Sequence, residues 1–211
     1  THRKAFEPQM LEEFERRKAQ YEYSQWGGAI ESSQDVENLA RDCGLFEVDS
    51  KAPWWESASV FARCQKLNAE IYRRFTYLEN VTDVNTSIAE VFAHKQGVCQ
   101  DFAHIFIACC RAAGIAARYV SGYLVTGRAL SAAGSPASHA WVEALMPNVG
   151  WCAFDPTNNL LPDDYYVKLA VGYDYFDASP TRGLYQGKNV ECSLRVRIHS
   201  LLENELATSY A

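Results

Sequence analysis

The chain has 211 residues, of which 48% are hydrophobic, 13% are aromatic and 22% are charged, and its formal net charge is -6. The length suffices for one self-supporting core, and the apolar content argues against a disordered chain. The acidic balance argues against a nucleic-acid partner, and no apolar run is long enough to cross a membrane.

The seven cysteines have wide, irregular spacing, and no pair forms a CxxC motif. An odd number in this arrangement is not typical of a disulfide framework or of a structural zinc site. The first 20 residues are charged and have no apolar centre, so no signal peptide is predicted. We therefore expect reduced thiols and a cytoplasmic location.

Residues 1–56 are predicted to form a mainly helical N-terminal segment. The patterns indicate two helices, over residues 8–23 and 33–42, each with one apolar side. The inward residues are expected to be Met10, Leu11 and Phe14 in the first helix, and Val36, Leu39 and Ala40 in the second.

Residues 57–200 are predicted to form the core domain, followed by a C-terminal tail at 201–211. The first core helix spans residues 57–74, because apolar residues recur at positions 60, 64, 67 and 71, on one helical face. Residues 87–94 follow as a short helix, and the pair Ser87 and Glu90 fits a capping box. A third helix begins at Cys99 and ends at Gly114, a residue type that favours helix C-termini.

After this helix the patterns change to those of strands, over residues 117–125, 139–146 and 150–155. Residues 190–198 alternate apolar and polar side chains, which predicts a half-buried strand. Residues 127–138 are rich in Gly, Ala and Ser and are predicted to form a loop. The fold class is therefore α+β, with N-terminal helices and an antiparallel sheet.

Cys99 is the first candidate for chemistry, because it opens an apolar helix. The positive end of the helix dipole favours a thiolate there, and a thiolate is the nucleophile of cysteine acyl transfer. The Cys99 backbone N–H could also stabilise an oxyanion. A buried structural cysteine is the alternative interpretation.

His139 and Asp155 are the candidates for an acid–base pair. His139 opens one strand and Asp155 closes the next, so a hairpin turning about residues 147–150 would bring them to the same end. A catalytic cysteine needs a histidine to move its proton, and the histidine needs a carboxylate to hold its tautomer.

Five segments together resemble the transglutaminase-like superfamily, and most closely its bacterial cysteine protease branch. These are GVCQDFAH (97–104), RAAGIAARYVSGY (111–123), HAWVEA (139–144), GWCAFDPT (150–157) and VGYDYFDASPTRGLYQG (171–187). The resemblance implies a papain-like α+β core in which the nucleophile helix packs on an antiparallel sheet. It implies that Cys99 is the nucleophile, His139 the general base and acid, and Asp155 the residue that orients it.

Other site residues are less clearly indicated by the sequence. Gln96 and Gln100 are candidates for a second oxyanion donor, and Tyr123 lies close in sequence to the loop at 127–138, which could gate the cleft. Trp141 and Trp151 are expected to pack across the hairpin, although Trp141 could instead line a substrate groove. No EF-hand pattern is present, so neither a metal nor another cofactor is predicted.

The expected activity is cysteine-dependent acyl transfer at an amide carbonyl, with hydrolysis by a peptidase or amidase as the first expectation. The alternatives are a transglutaminase or an amide-forming acyltransferase with an amine acceptor, and a scaffold that has lost catalysis. The expected partner is a peptide, protein or small amide substrate, with no nucleic acid and no membrane. The sequence does not indicate an oligomeric state.

Overall fold

The computed structural model describes residues 8–47, 56–125 and 138–179, with side chains from Glu12 in the first range and from Ser59 in the second. The helices are α1 (Pro8–Glu22), α2 (Gln34–Asp42), α3 (Glu56–Arg74), α4 (Ile88–His94), α5 (Cys99–Ala112) and α6 (Tyr175–Ala178). The strands are β1 (Thr76–Tyr77), β2 (Gln96–Gly97), β3 (Ala117–Leu124), β4 (Ser138–Met146), β5 (Gly150–Phe154) and β6 (Tyr166–Gly172).

The main sheet is antiparallel and has the strand order β5-β4-β3-β6. Together with the helices, it confirms the α+β class. The edge strand β6 was not expected from the sequence, because its exposed positions carry Val167, Leu169 and Val171 and the apolar–polar alternation is weak. The strand predicted at 190–198, most of the loop at 127–138 and the tail at 201–211 lie outside the described residues.

Helix α5 is the centre of the core. Its residues from Gln100 to Arg111 are buried, and it packs against α2 and α3 as well as β3 and β4. A helix that is buried on all sides is apolar all round, which explains its run of apolar residues. Because Cys99 is the first residue of this rigid helix, the core fixes the position of its backbone.

The other predicted helices form, and their apolar faces are buried as expected. The buried residues are Val36, Leu39 and Ala40 of α2, Val60, Cys64, Leu67 and Ile71 of α3, and Ile88, Val91 and Phe92 of α4. The capping box of α4 is present, since Ser87 accepts the Glu90 N–H and the Glu90 carboxylate accepts the Ser87 N–H.

The predicted packing of α1 is wrong at Phe14, whose side chain is 61% exposed. Polar contacts at the C-terminal end of α1 attach the helix to the rest of the protein. The Gln20 amide donates to the Gly114 carbonyl at 2.9 Å, and the Tyr23 carbonyl accepts from Ala117 N–H at 3.1 Å and from Arg111 Nε at 3.0 Å. These polar contacts tie α1 to the end of α5, and the side chains of Met10 and Leu11 lie outside those described.

The cysteines of the described residues are free thiols, and Cys192 lies outside those residues. No helix in the described ranges combines the length and the apolar character that crossing a bilayer requires. The cytoplasmic location and the domain boundaries at 57 and 200 stay predictions.

Candidate active site

The position of Cys99 follows from a short segment that joins β2 to α5. Val98 is extended and precedes the helix, and the Asp101 carboxylate accepts the Val98 N–H at 2.8 Å and the Thr82 hydroxyl at 2.7 Å. Gly97 permits this arrangement, because a Cβ there would lie 2.8 Å from the same Asp101 oxygen. Cys99 itself is half-buried, in the helical turn whose N–H groups have no intrahelical acceptor.

Asp101 has a structural role at the start of α5. It is buried, which raises the pKa of its carboxyl, and the hydrogen bonds from Val98 and Thr82 act in the opposite direction. Its contacts hold the first turn of α5 and the loop that carries Thr82. The carboxylate therefore fixes the backbone on either side of Cys99.

The predicted hairpin of β4 and β5 forms and brings His139 and Asp155 together. Val142 pairs with Phe154 and Met146 pairs with Gly150, so Asp155 follows β5 at the end of the hairpin where β4 begins. The His139 Nε2 and Asp155 Oδ2 atoms are 2.8 Å apart, and both side chains are buried.

The Cys99 thiol also lies near enough to His139 to affect the pKa of the imidazole. Since Nε2 faces Asp155, Nδ1 is the ring nitrogen left for the thiol. Burial lowers the pKa of His139, but the hydrogen bond with Asp155, the neighbouring Cys99 and the charges of both groups raise it to about 10. A protonated imidazole beside a cysteine is the arrangement found around activated nucleophiles.

Several groups besides His139 donate hydrogen bonds to the Asp155 carboxylate. Its Oδ1 atom accepts the backbone N–H groups of Thr157 at 2.9 Å and Asn158 at 3.3 Å, and its Oδ2 atom accepts the Asn158 amide at 2.7 Å and the Tyr166 hydroxyl at 2.8 Å. Burial raises the pKa of Asp155, but the hydrogen bond and charge of His139, helped by Asn158 and Tyr166, lower it below its ordinary value. The carboxylate therefore stays charged and fixed.

Asn158 and Tyr166 were not identified from the sequence. A signal for the Asn158 loop exists, because an aspartate that bonds the N–H two residues later is typical of an Asx turn. Tyr166 gave no such signal, since it lies on the edge strand β6. Both residues position Asp155 through the hydrogen bonds given above.

Trp141 supports the histidine and does not line an open groove. Only 2% of its surface is exposed. Its ring stacks near the imidazole of His139, with centroids 6.2 Å apart, and meets Tyr166 edge-on at 5.4 Å. The indole therefore restricts the orientation of the imidazole.

The expected packing of Trp151 against Trp141 is wrong. Trp151 pairs with Leu145, four positions further along β4, so the register separates the two indoles. Trp151 instead contacts the Tyr23 ring edge-on at 5.6 Å and lies under the Arg118 guanidinium at 4.0 Å. This tryptophan joins α1 to the sheet, away from His139.

The remaining candidates have different surroundings. Gln96 is exposed on β2, while Gln100 is buried and donates to the Val84 carbonyl at 3.4 Å. Tyr123 is half-buried on β3, level with Ser138. The role of each in binding an oxyanion or a substrate stays a prediction.

His104, Cys109 and Cys110 of α5 are packed in the core. His104 accepts the Tyr175 N–H at 3.2 Å, and burial lowers its pKa to about 4, so the ring is neutral. Cys109 and Cys110 are buried in the core, which raises the pKa of both thiols. Across the described ranges, no three His, Cys, Asp or Glu side chains are grouped so as to hold a metal ion.

The raised pKa of His139 predicts a loss of stability at alkaline pH. The imidazolium contributes fully below the ordinary histidine pKa of 6.5, and this contribution disappears as the pH rises through about 10. Urea unfolding of wild type and His139→Gln at several pH values measures the contribution of the imidazolium to the unfolding free energy. We expect the wild type to lose more unfolding free energy than the variant between neutral pH and pH of about 10. Equal losses of unfolding free energy in the two proteins would contradict the raised pKa of His139.

Comparison with known proteins gives one matching family. Residues 55–156 match the family model of the transglutaminase-like superfamily. An uncharacterized protein from Mycobacterium tuberculosis is 42% identical over 125 residues, which cover 56% of this chain and 40% of that protein. The chain thus matches two fifths of the length of this relative.

Two further similarities carry functional names. A protein-glutamine gamma-glutamyltransferase from Pseudomonas aeruginosa is 34% identical over 112 residues, covering 50% of this chain and 16% of that protein. The crystal structure of a provisionally assigned cysteine protease from Cytophaga hutchinsonii superimposes with a TM-score of 0.52 and 29% identity. That match covers 76% of this chain and 54% of the other.

Proposed function

Because residues 55–156 match the model of the transglutaminase-like superfamily, we propose that the chain belongs to it and catalyses cysteine-dependent acyl transfer at an amide carbonyl, in the hydrolytic direction. The observation that carries the proposal is the position of His139, which contacts both Cys99 and Asp155. The substrate class is a peptide, a protein or a small amide. The acyl group is carried as a Cys99 thioester.

In the proposed reaction Cys99 is the nucleophile, His139 acts as acid and then as base, and Asp155 orients the imidazole. The Cys99 thiolate attacks the carbonyl carbon to form a tetrahedral oxyanion. His139 then gives its proton to the leaving amine as the carbon–nitrogen bond breaks, which leaves the thioester. Asp155 stabilises the imidazolium and holds its Nε2–H in place. Water next attacks the thioester, losing a proton to His139, and the collapse of the second oxyanion releases the acid and the thiolate.

The second candidate is amide formation, in which an amine replaces water at the thioester. The similarity to the gamma-glutamyltransferase favours it, while the fold similarity to the Cytophaga protein favours hydrolysis. Both reactions use the same three residues, so access of water to the thioester separates them. A non-catalytic scaffold is disfavoured, because Cys99 is accessible and contacts a charged histidine.

Alkylation of Cys99 by iodoacetamide, followed by peptide-resolved mass spectrometry across pH, tests the proposal. We expect Cys99 to react well below the free-thiol pKa of about 8.5, and to lose this reactivity in His139→Ala. Cys152 is an internal control, since it is also half-buried but burial raises its pKa. Substitution of the exposed His94 by alanine is the matched control and should change nothing. Equal rates at Cys99 and Cys152 would exclude an activated thiol.

A second experiment separates hydrolysis from amide formation. A glutamine-containing peptide is incubated with a labelled primary amine, with Cys99→Ala as the blank. Main-chain fragments or a glutamate product indicate hydrolysis, whereas a peptide carrying the label indicates transamidation. If most of the peptide carries the labelled amine in dilute aqueous buffer, the proposed hydrolytic direction is overturned.

A further inference from the structure

The reaction proposed above needs donors for the oxyanion, and the Cys99 N–H is only one. Gln100 donates to the Val84 carbonyl, and Gln96 lies exposed on β2. We propose that the Tyr77 hydroxyl is the second oxyanion donor, an inference that rests on the proposed acyl-transfer function. Tyr77 would then be a catalytic residue that the sequence did not indicate.

The short ladder of β1 and β2 places Tyr77 beside the segment that delivers the nucleophile. The two strands are parallel, with Tyr77 level with Gly97, two positions before Cys99. The Thr76 N–H donates to the Lys95 carbonyl at 2.8 Å and the Leu78 N–H donates to the Gly97 carbonyl at 3.0 Å. These bonds on either side of Tyr77 fix its backbone relative to the start of α5.

The ring of Tyr77 lies against the first turn of the same helix. It meets the Phe102 ring edge-on, with centroids 6.5 Å apart. Phe102 is three residues after Cys99, and residues three apart are neighbours on a helix surface. The ring is therefore held on the side of the turn that carries the thiol, and its half-buried position leaves it within reach of a substrate.

The hydroxyl of Tyr77 is available as a donor. Within the described ranges no hydrogen bond involves this hydroxyl, although the residue packs against the core. Burial raises the pKa of Tyr77 to about 12, and the charge of Cys99 adds to the effect. The group therefore keeps its proton at neutral pH. It can donate to an oxyanion without losing that proton, and no further reactant is needed.

Tyr119 is the competing tyrosine, because its hydroxyl also lies within the electrostatic influence of Cys99. Only 2% of Tyr119 is exposed, and its ring is enclosed by His104 at 5.4 Å and Tyr175 at 6.3 Å. A substrate carbonyl cannot reach a hydroxyl that is enclosed in this way. The difference in exposure between the two tyrosines therefore favours Tyr77.

The test compares two reactions of the same sulfur. Hydrolysis of p-nitrophenyl acetate passes through an oxyanion, whereas alkylation by iodoacetamide displaces iodide and forms none. For Tyr77→Phe we expect the Cys99-dependent release of p-nitrophenol to fall about 10²-fold, the effect of removing one oxyanion donor. The alkylation rate of Cys99 should stay at the wild-type value. Tyr119→Phe should retain both rates.

Each other outcome has a distinct meaning. If alkylation falls together with ester hydrolysis, Tyr77 supports the thiolate or the local fold, and the inference is overturned. Unchanged hydrolysis in Tyr77→Phe, or a loss in Tyr119→Phe alone, also overturns it. If wild type releases no more p-nitrophenol than Cys99→Ala, the proposed function itself fails, and the role of Tyr77 fails with it.

Discussion

Replacement of Asp155 by asparagine is expected to lower turnover by about 10⁴-fold while Cys99 stays in place. The Oδ1 atom of Asp155 accepts two backbone N–H groups, so the asparagine oxygen would occupy that position. Its amide NH₂ would then face His139 Nε2 and the Tyr166 hydroxyl, both of which now act as donors. His139 would move its proton to Nδ1, and it could no longer accept the proton of Cys99.

Kinetics and histidine titration together check this expectation. The pKa of His139 should fall from about 10 in the variant, because the carboxylate is one of the main causes of its rise. Asp164→Asn is the matched control, since Asp164 is exposed in the loop before β6. A variant at Asp155 with near-normal turnover would show that His139 needs no charged partner.

Gly122→Ala is expected to destabilise the fold by about 3 kcal/mol, at the upper end of overpacking effects. A Cβ at this position would overlap the Val167 carbonyl of β6 and the indole ring of Trp141. The clash would separate β6 from β3 and displace Trp141 from the imidazole of His139. Turnover should therefore fall in the fraction of protein that remains folded.

Chemical denaturation, with turnover measured on the same samples, tests this prediction. Ser121→Ala is the control, because Ser121 precedes Gly122 on β3 and the change only removes a hydroxyl. An unfolding free energy of Gly122→Ala within the error of the control would mean that β3 and β6 can separate at no cost. Trp141 would then have no fixed role beside the histidine.

The part of the site that the sequence predicted is the part built by local patterns. A strand, a turn and a second strand place His139 near Asp155 because antiparallel pairing fixes which ends meet. The start of α5 at Cys99 followed from the apolar run that begins there. These patterns depend on neighbouring residues, so they can be interpreted without the tertiary structure.

The part that the sequence did not predict depends on distant contacts. Tyr166 reaches Asp155 only because β6 pairs with β3, and this pairing has no local signal. The wrong pairing of Trp141 with Trp151 has the same origin, since the register along β4 decides which residues meet. Phe14 is exposed because α1 is attached by polar contacts at its end.

The β4–β5 hairpin contains the His139–Asp155 pair, whereas Cys99 comes from a different part of the chain. His139 and Asp155 lie 16 positions apart, so closing the chain between them costs little loop entropy. Cys99 belongs to α5, and the whole of β3 lies between that helix and the hairpin. The contact of His139 with Asp155 is therefore local in sequence, whereas the approach of Cys99 to His139 is a long-range contact that depends on packing of the central helix. The pairing of Cys99 with His139 therefore depends on how α5 packs against β3 and β4.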